Sequence, residues 1–112
     1  MKEIIFDKND YKSYKDFYHD LCIKLNKDRF IDWNGEYPDL CYSANLLNEF
    51  LWYCHTDNNT YIFKNYDLDK IKNYKNVNDY HYSLVIEVFT EFVKNYPNNK
   101  LIFVNKEKIW KK

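Results

Sequence analysis

Ser83-Leu84-Val85-Ile86-Glu87-Val88-Phe89-Thr90-Glu91-Phe92-Val93, ended by Tyr96-Pro97-Asn98-Asn99 and followed by Lys100-Leu101-Ile102-Phe103-Val104, decides the fold class. Leu84, Val85, Val88, Phe89, Phe92 and Val93 recur at the spacing of one helix face, with Ser83 as the expected N-cap. Glu87 stands one position beyond the usual capping-box partner. Pro97 cannot continue a helix, and the five residues from Lys100 to Val104 are an apolar, β-branched run of strand length. A helix thus leads directly into a strand.

The same alternation extends toward the N-terminus. Lys2-Glu3-Ile4-Ile5-Phe6-Asp7 reads as a buried strand closed by the turn formers Asp7, Asn9 and Asp10. Ser13 and Asp16 resemble a capping box with the shorter acid, opening a helix whose stripe is Tyr14, Phe17, Tyr18, Leu21, Cys22 and Leu25. From Asn26 to Tyr42 the pattern dissolves into a long loop holding the single glycine, Gly35, and Pro38. Ser43 can cap a second helix through about Cys54, with Leu46, Leu47, Phe50, Leu51 and Cys54 on one stripe. Thr60 to Lys64 reads as a strand, and the polar connection from Asn65 to Tyr80 holds a helical turn near Leu68 to Ile71. Strands separated by helices cannot form tight hairpins and join a parallel sheet through crossovers. The expected fold is therefore α/β, a three-stranded, mostly parallel sheet packed with three to four helices. It fills one domain over residues 1–112, with 105–112 as a basic tail.

The bulk properties agree with one packed core. Of 112 residues, 46% are hydrophobic and 21% aromatic, with one Gly and two Pro, which argues against disorder. The abundance of Lys, Asn, Ile and Tyr follows most simply from nucleotide bias, so tyrosine content alone says little about binding. Cys22, Cys41 and Cys54 are odd in number and lack CxxC spacing, so they suggest buried thiols rather than a disulfide framework or zinc site. With no long apolar run and no signal-peptide pattern, the expected location is cytoplasmic, away from membranes.

Charge is sorted along the chain. Between Arg29 and Lys64 there is no basic residue, whereas Asp32, Glu36, Asp39, Glu49 and Asp57 all fall inside. The chain balances 17 acids with 17 Lys and Arg, so outside the window 12 acids face all 17 cations. A one-signed patch steers an oppositely charged partner, so a basic protein surface is the expected target and direct nucleic-acid binding is disfavoured. Within Asp32 to Trp52 the acids interleave with Trp33, Tyr37, Tyr42, Phe50 and Trp52, residue types that anchor protein interfaces.

Catalytic chemistry is thinly represented. His19, His55 and His81 read as solvated side chains, and the acids around Cys41 would raise a thiol pKa and oppose a nucleophile. Asp32, Glu36 and Asp39 do not follow the Ca²⁺-loop spacing, and one glycine cannot build a phosphate cradle. No cofactor, metal or catalytic residue is expected.

On these residues the chain resembles the barstar family of intracellular ribonuclease inhibitors over nearly its whole length. Val88-Phe89-Thr90-Glu91 with Leu101 to Val104 is similar to the family's closing helix and strand, and Ile4-Ile5-Phe6-Asp7 with Asp16-Phe17-Tyr18 to its opening. Trp33-Asn34-Gly35-Glu36-Tyr37-Pro38-Asp39 resembles the family's aromatic-Gly inhibitory loop. The resemblance implies a barstar-like fold and an immunity protein, monomeric when free, whose carboxylates enter the active site of a basic ribonuclease toxin. It implies partner-binding roles for Asp39 and Glu91, with Trp33, Gly35, Glu36, Tyr37, Tyr42 and Glu49 around them. The family's second loop acid falls on Ser43 in this register, or on Glu49 if the helix is matched through Asn45-Leu46. The alternative is a non-catalytic adaptor or regulatory module on the same fold.

Overall fold

The structure, a computed structural model, describes residues 2–26, 47, 48, 51, 52 and 54–105. Three strands alternate with helices: β1 (Lys2–Asp7), a 3-10 turn (Lys8–Asp10), α1 (Tyr14–Asn26), β2 (Asn59–Lys64), α2 (Leu68–Lys72), α3 (Val77–Asn95) and β3 (Lys100–Val104). Residues 47, 48, 51 and 52 are helical as well. The sheet order is β1-β2-β3 and both pairings are parallel, so the sheet is wholly rather than mostly parallel. Among the described residues no helix is long and apolar enough to cross a membrane.

Strand order determines where the helices go. In a sheet that grows in one direction, crossovers of one hand set their helices on one face. The core shows this arrangement. Ile4 and Phe6 of β1 and Tyr61 and Phe63 of β2 point to the same side and are buried with Phe17 and Leu21 of α1 and Val85 and Phe89 of α3. Phe6 meets Phe17 edge-on at 5.6 Å between ring centroids, and Phe89 meets Phe63 edge-on at 5.1 Å. Such tilted pairs add about 0.5–1.5 kcal/mol each beyond burial. Leu47 and Leu51 belong to the same cluster, so these two helical residues pack on this face too.

The strand ends are joined by asparagines. Asn58 and Asn65 flank β2 with φ of 55° and 66°, a left-handed conformation that asparagine tolerates better than most residues. Buried Asn99 accepts from the Asn59 N–H at 2.9 Å and donates to the His55 carbonyl at 2.9 Å, stapling the entries of β2 and β3. The edge of β1 is guarded by Lys24, whose Nζ donates to the Ile5 carbonyl at 2.6 Å while pairing with Asp20 at 2.9 Å.

One expected boundary moves. α3 begins at Val77, six residues before Ser83, and its N-cap is Asn76. The Asn76 side chain accepts from the Asp79 N–H at 2.8 Å and donates to the Asp79 carboxylate at 3.1 Å, a reciprocal cap. Ser83 instead lies inside the helix, its hydroxyl donating to the Tyr80 carbonyl at 2.6 Å. The aliphatic stripe starts only at Leu84, whereas the first turns are held by Tyr82 against Tyr14 and Phe17.

Candidate functional site

Burial of Val85, Phe89 and Phe92 fixes the rotation of α3 and turns Glu87 and Glu91 outward to solvent, one helical turn apart. Like charges at this spacing cost an isolated helix roughly 0.2–0.5 kcal/mol. The ion pairs among the described residues are Lys24–Asp20 and Lys70–Asp79, so neither glutamate is neutralised by a described cation. Two carboxylates therefore stand on a rigid support with their hydrogen-bonding capacity unused, which suits charge-assisted bonds to a partner's Arg or Lys.

A second exposed feature lies where the acidic window ends. Trp52 is 53% exposed and stacks on His55 at 5.3 Å between centroids, and His55 in turn meets Tyr96, the C-cap of α3, at 5.0 Å. Nδ1 of His55 lies within hydrogen-bond distance of the Trp52 carbonyl, which accepts only if that nitrogen carries the proton. The aromatic interleaving of the sequence pointed to Trp52, but nothing in the sequence joined it to Tyr96.

Polar groups also gather near the carboxyl ends of β1 and β2, where parallel sheets often hold ligands. Here they belong to the core. The Tyr11 hydroxyl donates to the Asp20 carboxylate, and the buried hydroxyls of Tyr66 and Tyr82 have no hydrogen-bond partner, their rings 5.6 Å apart. Burial foremost pushes the phenols of Tyr11, Tyr66 and Tyr82 well above the ordinary range; at Tyr11 the bond to Asp20 adds to it. Phenols locked in the neutral form supply no base at physiological pH. An open hollow of about 420 Å³ between α2 and the start of α3 is lined by Asp69, Lys70, Asn73, Lys75 and Asp79, charges of both signs.

Of the residues put forward from the sequence, Glu91 is exposed on α3 as expected. Asp39, Trp33, Gly35, Glu36, Tyr37, Tyr42 and Glu49, together with Cys41, lie outside the described residues. Cys22 and Cys54 are buried thiols. His19 is exposed on α1, whereas His81 stacks on Tyr14 at 4.7 Å rather than standing in solvent. Among the described residues no three His, Cys, Asp or Glu side chains are grouped to hold a metal ion. No protein-family model, curated protein or solved structure matches the chain.

Proposed function

We propose that the chain is a barstar-like inhibitor that binds a basic ribonuclease and blocks its active site with carboxylates. The observation that carries this reading is Glu91, which stands exposed on α3 with no described cation paired to it, as an acid held ready for an external partner does. Two further features support it. The parallel β1-β2-β3 sheet with helices packed on it is the α/β layout that the strand and helix patterns of the sequence lead one to expect, and such an inhibitor can be built on it. The 34 residues between Arg29 and Lys64 hold five acids and no Lys or Arg, so α3 is not the only source of negative charge.

The mechanism requires no reaction. Carboxylates of the inhibitor occupy the positions that substrate phosphates take, accepting charge-assisted hydrogen bonds from the nuclease's cationic side chains. Aromatic residues at the rim exclude water and strengthen those bonds. Long-range attraction between the acidic surface and the cationic cleft speeds association, and RNA is excluded while the complex lasts.

Titration against a panel of basic bacterial ribonucleases tests the proposal, with loss of RNA cleavage at one inhibitor per enzyme as the expected result. Glu91→Ala, and separately Asp39→Ala, should weaken the inhibited complex by more than about 1 kcal/mol, while Glu91→Ala leaves the unfolding midpoint nearly unchanged. Affinity should also fall as salt rises. A partner that binds through Glu91 but cleaves no RNA would transfer the site to the adaptor reading.

A further inference from the structure

The face of the sheet turned away from the helices carries three cross-strand rows: Glu3–Thr60–Lys100, Ile5–Ile62–Ile102 and Asp7–Lys64–Val104. The middle row is aliphatic throughout, with Ile5 37% and Ile102 42% exposed on either side of Ile62 at 9%. Parallel sheets usually have both faces covered, so exposed isoleucines here are a departure. Charge across this face is one-sided. The acids Glu3 and Asp7 stand on β1, and the lysines Lys64 and Lys100 on β2 and β3. Neither Glu3 nor Lys100 has an ion-pair partner among the described residues.

We propose that this face packs against the same face of a second copy of the chain, with the strands of the two sheets aligned. A two-fold axis parallel to the strands and midway between the sheets lays β1 of one copy over β3 of the other. Glu3 then meets Lys100 of the second copy, and Lys100 meets its Glu3. Ile5 lies over Ile102, and Ile62 over Ile62. The two Lys64 side chains fall beside the axis, each flanked by the Asp7 of both copies. A two-fold axis running across the strands would instead set Glu3 over Asp7, acid on acid. The sign pattern therefore selects one arrangement, as an isologous interface requires a patch complementary to itself. Sheets about 10 Å apart, as in aligned sandwiches, leave room for the isoleucines to interdigitate and for Glu3 to reach Lys100.

Three strands about 4.8 Å apart and five residues at about 3.3 Å each give a patch of roughly 14 Å by 17 Å. That is well below the ~800 Å² per partner of a stable complex, so the dimer is weak and reversible, with Kd on the order of 10⁻⁴ M. Glu87 and Glu91 lie in the helix layer and stay accessible in both copies. Self-association stands apart from the inhibitor reading, because it uses neither glutamate and needs no nuclease.

Sedimentation velocity of the isolated chain, from about 10 μM to about 1 mM, tests it. The mean mass should rise toward that of two chains. Glu3→Lys alone and Lys100→Glu alone should each weaken association about tenfold, because each turns two attractive pairs into repulsive ones. An equimolar mixture of the two variants should restore it, since the introduced lysine of one chain then meets the introduced glutamate of the other. Both positions are exposed, and circular dichroism of each variant should match the parent. A chain that stays monomeric throughout, variants that associate like the parent, or a mixture no stronger than either variant alone would overturn the proposal. Binding of an unrelated protein at this face, with no self-association, would overturn it too.

Discussion

The two faces of the sheet are made from the same strands, one residue out of phase, and they hold opposite kinds of side chain. Toward the helices, Phe6, Phe63 and Phe103 form one row and Ile4, Tyr61 and Leu101 another; away from them stand Ile5, Ile62 and Ile102. Four of these six inner residues are aromatic, side chains large enough to fill the wide space between a sheet and the helices. Phe63 alone lies near Phe6, Phe17, Tyr66, Phe89 and Phe103, at 5.1–6.2 Å between centroids. The outer row has aliphatic side chains of one size, which suit a flat contact better than a deep one. In a parallel strand, then, continuous hydrophobicity hides two different packing tasks, and only the register separates them.

The largest test of that difference is paired truncation. Phe63→Ala should lower the free energy of unfolding by about 3–5 kcal/mol, as deletions of fully buried aromatics do. Ile102→Ala, in an exposed position on the edge strand, should cost no more than about 1 kcal/mol in the monomer. Urea unfolding at low micromolar concentration compares them. Equal losses would mean that the outer face is as much a core as the inner one.

Alkali should act on the helix-covered side alone. Tyr61, Tyr66 and Tyr82 are buried there, and burial is the foremost cause that raises each phenol above its ordinary pKa. The unfolded chain ionises these groups near pH 10, whereas the folded chain keeps them protonated. The folded state thus holds more protons above that pH, and its stability falls as pH rises. Below about pH 10 the contribution is fully present; above it, each ring removes up to about 1.4 kcal/mol per pH unit. Unfolding midpoints measured from pH 8 upward should be level at first and then drop steeply, together with the appearance of phenolate absorbance. A gradual rise of phenolate in a still-folded protein would show that the rings are not sealed.

The sequence told much of this fold and little of its site. Every stripe residue assigned to α1, from Tyr14 to Leu25, is buried, and Lys100 to Val104 is β3 as read. Those segments combine a clean period with flanking breakers, so local pattern and tertiary packing agree. The start of α3 was harder, because Asn76 and Asp79 cap it several residues ahead of the first aliphatic side chain and tyrosines supply its early packing. Glu91 could be placed because Phe89 and Phe92 on either side of it are buried. Asp39 and its neighbours come from a stretch of Asp, Asn, Gly and Pro with no period, where residue type announces charge but not position. The contact of His55, itself stacked on Trp52, with Tyr96 joins residues far apart in sequence, and no local signal carries it.

The smallest effect separates tyrosines within the covered side itself. Tyr61 accepts a hydrogen bond from Asn59 Nδ2 at 3.1 Å, both residues being buried, whereas the Tyr82 hydroxyl is buried without a partner. Removing one partner of a satisfied buried pair leaves the other unpaired and costs about 1–3 kcal/mol, whereas removing an orphan relieves a penalty already present. Tyr61→Phe should therefore destabilise by about 1 kcal/mol, and Tyr82→Phe should be neutral or stabilise by up to about 1 kcal/mol. Both variants also remove a phenol that titrates only on unfolding, so each should flatten the alkaline decline by one group. Below pH 9 the two should differ in sign, and in alkali they should agree. If Tyr82→Phe is instead costly below pH 9, its hydroxyl is satisfied by a group that the folded chain supplies in solution, and the tyrosines of this core are more evenly bonded than their geometry suggests.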